Sequence, residues 1–313
     1  MIDIIIPAYN AHKTIERALI SISNQSIKDK LKVYIINDNS DSDYSTVIKK
    51  FSNIIDVTEY KLDKNHGPGY ARQYGLEHST NERILFLDSD DVFFSFSSVE
   101  NLNKKMEETN CDMVFSNISE QVDDYYYLYT EDWIDIQGKL YNRHFIKKHG
   151  INFPYLYGEE DNSFNQQFYA FSPYIERIDD TTYVRVFNQD SLTRSSSNDY
   201  YSKYELYYSL GFRHTLESII KNKAAETTIA RLAFTAIVRL YNRIENVYNG
   251  NYINRKTFAS LKKIIKIYDI YNCYLTEEEK KDVVNSECSP ELSKYEYLMG
   301  NKTLLCDFIN KYR

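Results

Sequence analysis

The sequence predicts an α/β fold, a mostly parallel sheet flanked by helices over residues 1–198, followed by a smaller all-helical domain over residues 199–313. Up to about residue 120, short aliphatic runs alternate with segments of helical periodicity, which is the pattern of βαβ units. From about Tyr200 onward only helical periodicity remains. The polar stretch at residues 193–198 is the expected joint between the two parts.

The predicted elements of the first part follow one another in chain order. A strand at residues 2–6 ends at Pro7, and a helix with apolar residues at helical spacing follows it: Ile15, Ala18, Leu19 and Ile22. A second strand at residues 33–36 precedes a second helical segment: Tyr44, Val47, Ile48 and Phe51. Further strands are predicted at residues 57–62, 84–87 and 113–118, with a Gly-Pro-Gly loop and a short helix after the first of these.

Composition excludes several classes of protein. The 313 residues are 42% hydrophobic and include 30 Tyr, which excludes disordered, collagen-like and coiled-coil chains. The formal net charge of −7 disfavours nucleic acid as a partner. Residues 1–199 carry 20 Lys and Arg against 32 Asp and Glu, whereas residues 200–313 carry 18 against 13. This asymmetry predicts two functionally different halves.

The sequence also indicates the cellular compartment of the protein. The four cysteines show neither CxxC spacing nor histidines at zinc spacing, so we expect reduced thiols. The N-terminus lacks the basic and apolar regions of a signal peptide, and no apolar run approaches the ~20 residues of a membrane span. We therefore expect a cytoplasmic protein, with peripheral contact to the inner face of the membrane as an open alternative.

Polar clusters follow three of the predicted strands. They occupy residues 7–10, 37–41 and 88–91. Parallel strands end at one edge of a sheet, where open α/β sheets bind ligands, so we expect these clusters to form one site. The absence of GxGxxG and GxxxxGK[ST] excludes dinucleotide and P-loop sites.

The acidic residues of these clusters allow two interpretations. Asp88, Asp90 and Asp91 crowd three carboxylates behind a buried strand, which suits Mn²⁺ or Mg²⁺, or else they form an Asp-rich turn that caps a helix. Asp38 accepts a hydrogen bond from a base or ribose, or else it caps the helix that carries Tyr44. Both pairs of alternatives stay open at this stage.

Seven motifs in order give the first part of the chain a family resemblance, over roughly residues 1–195. They are IIIPAYN at 4–10, SISNQ at 21–25, INDNS at 36–40, NHGPGYAR at 65–72, ILFLDSDD at 84–91, GKLY at 138–141 and GEEDNSF at 158–164. In this order they resemble the inverting glycosyltransferases of family 2. The resemblance implies a GT-A fold, which is a Rossmann-like sheet that binds a nucleotide sugar.

The resemblance also implies roles for the residues that match the motifs. The nucleoside and diphosphate of the donor would be held by residues of the strand-end clusters and of the helix after the Gly-Pro-Gly loop: Pro7, Ala8, Tyr9, Asp38, Arg72, Asp88 and Ser89. In the DxD motif, Asp90 is the more direct ligand of Mn²⁺ or Mg²⁺ and Asp88 the second. Asp161 would be the general base, with Glu160 as the alternative if the register slips by one. An acidic first turn of a helix is the structural alternative for both.

The acceptor side is less defined by the motifs. The resemblance assigns it Trp133, Lys139 and Tyr141. Tyrosines such as Tyr125–Tyr127 could stack on sugars, although a Tyr-rich stretch is more often strand and half-buried core. Many family members carry a further metal-ligating histidine where this chain reads residues 183–194 without one. Asn188, Gln189, Asp190 or a water molecule could take the place of this metal ligand. Arg194 could help to hold the diphosphate.

The C-terminal helices carry a basic stripe with three open interpretations. Polar and basic residues lie four apart on one helix: Thr227, Arg231, Thr235, Arg239 and Arg243. A later helix carries Lys262, Lys263 and Lys266. The basic surface could meet an anionic membrane or a phosphate-bearing acceptor, pack against the acidic N-terminal domain, or mediate self-association.

These observations predict a metal-dependent inverting glycosyltransferase, a hexosyl- or N-acetylhexosaminyl-transferase. It would move a sugar from a nucleotide diphosphate donor, with UDP the expected nucleotide, to a hydroxyl of a glycan, lipid-linked or protein acceptor. A binding protein that has lost catalysis is the alternative. A nucleotidyltransferase fits less well because residues 7–10 lack the Gly-rich basic signature that it would need.

Overall fold

A computed structural model describes residues 1–41, 43–122, 125–131, 135–188, 199–247, 254–287 and 304–313. Contacts between residues divide the chain into two compact units, Met1–Ser196 and Ser197–Arg313. The first unit contains a sheet of nine strands and the second unit, where it is described, is helical.

The strands of the first unit form one sheet in the order β3-β2-β1-β4-β8-β6-β9-β5, with β7 paired to β6. Their bounds are β1 Ile2–Ala8, β2 Leu31–Asn37, β3 Asp56–Lys61, β4 Arg83–Phe86, β5 Val92–Phe93, β6 Met113–Val122, β7 Tyr125–Tyr129, β8 Lys139–Asn142 and β9 Ile175–Arg185. The helices of this unit are α1 Ile15–Ser23, α2 Ser45–Phe51, α3 Pro68–His78, α4 Ser98–Thr109, α5 Arg143–Lys148 and α6 Glu160–Tyr169, with a 3₁₀ turn at Lys28–Lys30.

The α/β prediction is confirmed, and the sheet as a whole is mixed. Strands β3, β2, β1 and β4 pair in parallel, as the βαβ pattern predicted. Strand β8 then pairs antiparallel with both β4 and β6. The described residues between β6 and β8 contain the β7 strand and no helix, whereas neighbouring parallel strands are usually joined by a crossover helix.

Side chains of the central strands alternate between two cores, one on each face of the sheet. Ile4 and Ile6 of β1 pack in the same cluster as Leu19 of α1. Ile5 points to the other face, into a cluster with Phe164 of α6. On that second face α3 lies close to the sheet, because Gly75 has no side chain. A Cβ at this position would lie only 2.4 Å from Ile5 Cγ2. Packing on both faces holds β1, β2 and β4 in place, so the positions at which these strands end are also fixed.

The second unit contains five α-helices among its described residues. They are α7 Asp199–Lys221, α8 Glu226–Tyr241, α9 Arg255–Tyr271, α10 Glu277–Glu287 and α11 Leu304–Tyr312, with a π-helical turn at Asn242–Val247 and a 3₁₀ turn at Asn272–Tyr274. No helix in the described parts of the chain combines the length and apolar character needed to cross a membrane. Among the described cysteines, Cys111, Cys273 and Cys306 carry free thiols, while Cys288 lies outside the described residues.

The predicted basic stripe of α8 is partly used within the second unit. The Arg239 guanidinium donates to the Tyr208 hydroxyl at 3.1 Å, and that of Arg243 donates to Glu205 Oε1 at 3.4 Å. Both partners lie on α7, so two of the five residues of the stripe pack between helices. Lys262, Lys263 and Lys266 of α9 are exposed.

Candidate active site

The ends of β1, β2 and β4 bring the three predicted polar clusters to one edge of the sheet. The Asp38 amide donates to the Ala8 carbonyl at 2.8 Å, which joins the first two clusters. The Leu87 amide donates to the Ile5 carbonyl at 3.1 Å, so the strand before Asp88 runs beside β1. Arg17 of α1 donates to the Asp90 carbonyl. The predicted juxtaposition of the clusters is therefore confirmed.

The Asp38 carboxylate binds the loop before α3 and does not cap the helix that the sequence indicated. Its two carboxylate oxygens accept the amides of His66 at 2.8 Å and Gly67 at 2.7 Å, just before α3. Burial raises the pKa of the Asp38 carboxyl, and these two backbone hydrogen bonds oppose the rise. The cap predicted for the Tyr44 helix is wrong, because Asp38 turns toward the Gly-Pro-Gly loop instead.

Two tyrosines lie beside Asp38. Tyr9 follows the buried Ala8, and its side chain is 52% exposed. The Tyr157 ring packs on Gly67, where a Cβ would lie only 3.0 Å from the ring. Burial, Asp38 and Tyr9 all raise the pKa of Tyr157, so the three side chains lie close together. Pro7 is partly buried in the same strand end, and sequence reasoning did not identify Tyr157 as a neighbour of this region.

Arg72 is the centre of a buried ion triad. Its guanidinium donates to Glu160 through one terminal nitrogen and to Asp88 Oδ1 at 2.6 Å through the other. The Gly-Pro-Gly loop makes this possible, because a Cβ on Gly69 would lie 2.1 Å from the Pro154 carbonyl oxygen and 3.0 Å from Glu160 Cβ. Glycine at this position therefore lets the start of α3 contact the segment that carries Glu160.

The geometry gives Arg72 a structural role. Burial lowers the pKa of its guanidinium, but Asp88, Glu160 and Asp161 together raise that pKa above its ordinary value. The side chain is 5% exposed, and both terminal nitrogens bind carboxylates. Arg72 therefore holds the DxD turn and the first turn of α6 together, and the donor contact that the resemblance implies for it stays a prediction.

Asp161 and Glu160, the two candidate bases, begin α6 and differ in their partners. Burial raises the pKa of Glu160, and Arg72 opposes this as its ion-pair partner. Burial first, then the negative charges of Glu160 and Asp135, raise the pKa of Asp161 to about 7, against the opposing charge of Arg72. The Asn162 amide donates to Asp161 Oδ1 at 2.7 Å. A carboxylate with a pKa near neutrality can accept a proton under physiological conditions.

The DxDD turn divides its carboxylates between structure and site. Asp91 is buried and accepts the Tyr183 hydroxyl at 2.7 Å and the Val186 amide at 2.8 Å, so it is structural. Asp90 Oδ2 accepts the Asn188 amide nitrogen at 2.8 Å, which places Asn188 where the resemblance expects a histidine. Ser89 lies between the two site aspartates and is partly buried.

The donor set of this turn fits a divalent cation. In the described part of the chain, no three His, Cys, Asp or Glu side chains are grouped as a metal cluster. Burial and the negative charge of Asp88 raise the pKa of Asp90, whose carboxylate has no Lys or Arg ion-pair partner among the described contacts. Nearby positive charge would relieve this repulsion. One or two carboxylates plus substrate phosphates are a common ligand set for Mg²⁺.

Sequence reasoning missed three residues that contact the candidate site or its neighbours. Gln137 donates through Nε2 to Asp88 Oδ2 at 2.8 Å and accepts at Oε1 from Arg185 at 3.2 Å. Arg185 also donates to Asp135, one of the carboxylates that raises the pKa of Asp161. Asp135 and Gln137 stand just before the GKLY motif, so polar residues flanking a motif were the available signal.

The predicted acceptor-side residues are not brought to this edge as expected. Tyr141 is fully buried, and its hydroxyl donates to Asn165 Oδ1 at 2.8 Å. Lys139 is also buried and donates to the Tyr169 hydroxyl at 3.1 Å. Their acceptor assignment is therefore wrong, because alternation along β8 turns both side chains into the α6 core. Trp133, Gln189, Asp190 and Arg194 lie outside the described residues.

Comparison with known proteins gives relatives that share part of the chain. The family model described as Glycosyl transferase family 2 matches residues 3–203. An uncharacterized glycosyltransferase of Rickettsia bellii is 38% identical over 120 residues, which are 38% of this chain and 17% of the relative. This chain thus spans less than a fifth of that relative's length. The GalNAc(5)-diNAcBac-PP-undecaprenol beta-1,3-glucosyltransferase of Campylobacter jejuni is 26% identical over 227 residues, covering 67% of this chain and 72% of the relative.

A solved structure shares the fold over the whole chain. The crystal structure of Staphylococcus aureus TarS 1–349 in complex with UDP-GlcNAc aligns with a TM-score of 0.71 at 19% identity. The alignment covers 99% of this chain and 89% of that one. Since the family match extends over well over half of the residues and the motif order agrees with it, the chain belongs to glycosyl transferase family 2.

Proposed function

We propose that the protein transfers a hexosyl or N-acetylhexosaminyl group from a UDP-sugar to a hydroxyl of a glycan-type acceptor, with inversion by a single displacement. The observation that carries this proposal is the contrast at the start of α6, where Glu160 is paired with Arg72 while Asp161 has a pKa raised to about 7. UDP-GlcNAc bound to TarS supports the choice of nucleotide. The undecaprenol-linked glycan named for the Campylobacter jejuni relative supports a glycan or lipid-linked acceptor.

In the proposed reaction, Asp161 removes the proton of the acceptor hydroxyl as its oxygen attacks the anomeric carbon. Glu160 stays paired with Arg72 and keeps the first turn of α6 in place. Tyr9 and Asp38, at the ends of β1 and β2, would contact the nucleoside together with Pro7 and the Ala8 backbone. We assign donor binding, catalysis and the nearest part of the acceptor to residues 1–198, and further acceptor, membrane or oligomer contacts to residues 199–313.

Asp90, with Asp88, would hold Mn²⁺ or Mg²⁺ in this proposal. When bound, such an ion supplies positive charge for the departing diphosphate. The chain's own contribution is to place the carboxylates. Asp88 is fixed between Arg72 and Gln137, and Asp90 is fixed by Asn188.

The exposed lysines of α9 support a further part of the proposal. Lys262, Lys263 and Lys266 lie on one helix, and Lys263 Nζ is 3.5 Å from Glu217. Basic exposed helices are attracted to anionic lipid surfaces. We therefore place the enzyme in the cytoplasm, in peripheral contact with the inner face of the membrane.

The direct test is release of nucleotide from a panel of UDP-, GDP- and dTDP-sugars, with Mn²⁺, with Mg²⁺ and with EDTA. We expect turnover of at least one UDP-sugar, and its loss in EDTA with recovery on adding Mn²⁺. Thermal stabilisation by UDP and Mn²⁺ without any turnover would show a binding protein. Full turnover in EDTA would exclude the metal, and preference for GDP or dTDP donors would exclude UDP as the nucleotide.

The raised pKa of Asp161 predicts the acid limb of the pH profile. A general base must be ionised, so kcat/KM should fall as the pH drops below about 7. Asp135→Asn removes one of the negative charges that raise this pKa, so its limb should move to lower pH.

The exposed Asp29→Asn, on the 3₁₀ turn, is the matched control and should leave the limb in place. Two results would contradict Asp161 as the titrating group. One is a wild-type kcat/KM that stays constant down to the ordinary pKa range of aspartate, and the other is an acid limb that Asp135→Asn does not move.

A further inference from the structure

The hairpin of β6 and β7 carries three consecutive exposed tyrosines. Tyr125, Tyr126 and Tyr127 are 71%, 66% and 53% exposed. The tyrosine-rich stretch is therefore not core here, contrary to the more common outcome for such sequences. Exposed aromatic patches mark interaction surfaces, because each ring combines an apolar face with a polar tip.

Strand register determines the face on which each tyrosine lies. Tyr127 is paired with Glu120 of β6, and Glu120 is paired with Arg185 of β9. Directly paired residues share one face of a sheet, so these three side chains form a row across three strands. Alternation places Tyr125 and Tyr129 on the same face as Tyr127, and Tyr126 on the opposite face.

This row leads to the candidate active site. The Tyr129 hydroxyl donates to Glu120 Oε2 at 2.9 Å, and the Arg185 guanidinium lies 5.9 Å from the centre of the Tyr129 ring. Arg185 in turn binds Asp135 and Gln137, and Gln137 binds Asp88. Two strand spacings, about 10 Å, separate β7 from β9. A short oligosaccharide can span that distance.

We propose that Tyr125 and Tyr127 form a platform, here called the tyrosine platform, on which sugar rings of the acceptor glycan stack. The inference rests on the proposed transfer function and adds where the acceptor chain lies. Arg185 faces Glu120 and Asp135, so this row carries no surplus of positive charge. The tyrosine platform therefore suits an uncharged glycan better than a polyanionic one.

A second copy of this chain is the competing occupant. Among the described strands β7 pairs with β6 alone, and an exposed edge strand can pair with another strand. Edge pairing depends on the backbone and on both faces of β7, whereas glycan stacking depends on the face that carries Tyr125 and Tyr127. This difference lets one pair of variants separate the two occupants.

The experiment compares Tyr127→Ala with Tyr126→Ala, a change of the same residue type in the same hairpin on the opposite face. Binding is measured on an array of short neutral oligosaccharides built from hexose and N-acetylhexosamine units. We expect wild type to bind at least one of them, Tyr127→Ala to bind it about tenfold more weakly, and Tyr126→Ala to bind it nearly as wild type does. Hydrolysis of the UDP-sugar without acceptor should be the same in all three proteins.

Several outcomes would overturn the tyrosine platform. They are no glycan binding by wild type, equal effects of the two variants, or a wild-type dimer in sedimentation that both variants dissociate. The proposed function fails separately, by absence of nucleotide release from every donor. Glycan binding is read without turnover, so the two failures are distinguishable.

Discussion

Asp161→Asn should reduce kcat for sugar transfer by about a thousandfold, with little change in KM for the donor. The amide keeps the size of the carboxylate but cannot accept a proton as a general base. The measurement is initial-rate kinetics with the donor and acceptor that the panel identifies. The matched control is Glu159→Gln, two positions before Asp161. The Glu159 carboxylate accepts from the Asn162 side-chain amide at 2.8 Å, and this variant should keep a kcat close to that of wild type.

Thermal unfolding separates this result from a loss of folding. Burial and the neighbouring carboxylates raise the pKa of Asp161 to about 7 in the folded protein, above its ordinary value. The ionised form is therefore disfavoured in the folded protein. This cost to stability grows as the pH rises above the ordinary pKa of aspartate and is fully present above about 7. In mildly alkaline buffer, Asp161→Asn should not lower Tm. A variant Glu160→Gln that loses kcat with an unchanged Tm, while Asp161→Asn keeps wild-type kcat, would assign the base to Glu160.

Arg72→Met should lower the free energy of unfolding by about 3–5 kcal/mol. The substitution keeps an unbranched apolar stem but leaves the carboxylates of Asp88 and Glu160 near each other without the positive charge between them. Leaving a charge buried without its partner is among the most destabilising changes a single substitution makes. Urea denaturation followed by circular dichroism gives the value.

Lys50→Met is the control for Arg72→Met. Lys50 pairs with Glu16 at 2.8 Å on the surface, where both side chains are about half exposed. Exposed pairs contribute about 0–1 kcal/mol, so this loss should be small. Arg72→Lys keeps the charge but cannot bind both carboxylates in the same fork, so its stability should fall between wild type and Arg72→Met. Equal stability of Arg72→Met and wild type would exclude the triad as a structural element.

Local patterns predicted the parallel half of the sheet well. The runs at residues 2–6, 33–36 and 84–87 lie within or next to β1, β2 and β4, because aliphatic runs between turn residues are local signals. Strands β5, β8 and β9 were not predicted, and two of them have four residues or fewer. For the tyrosines of β7 the strand was expected, but their exposure was not.

The sequence predicted many residues of the candidate site but not which of them contact each other. Asp38, Asp88, Asp90 and Asp161 were named from motifs and strand ends. Lys139 and Tyr141 were misplaced, because a motif does not show which face of β8 its residues occupy. Gln137 and Arg185 were missed, since their partners are 49 and 48 residues distant along the chain.

By itself, the sequence determined the alternation of strands and helices, the carboxylates at the strand ends and the family. The first two follow from periodicity and turn chemistry, which act over a few neighbouring residues, and the family follows from the resemblance of seven motifs in order. Only the tertiary structure decided that Arg72 neutralises Glu160 and Asp88 and leaves Asp161 with a raised pKa. Burial and Coulomb interactions depend on distances between side chains, and here the interacting residues are as many as 88 positions apart. The same is true of the tyrosines of β7, whose exposure is set by the strands beside them and not by their composition.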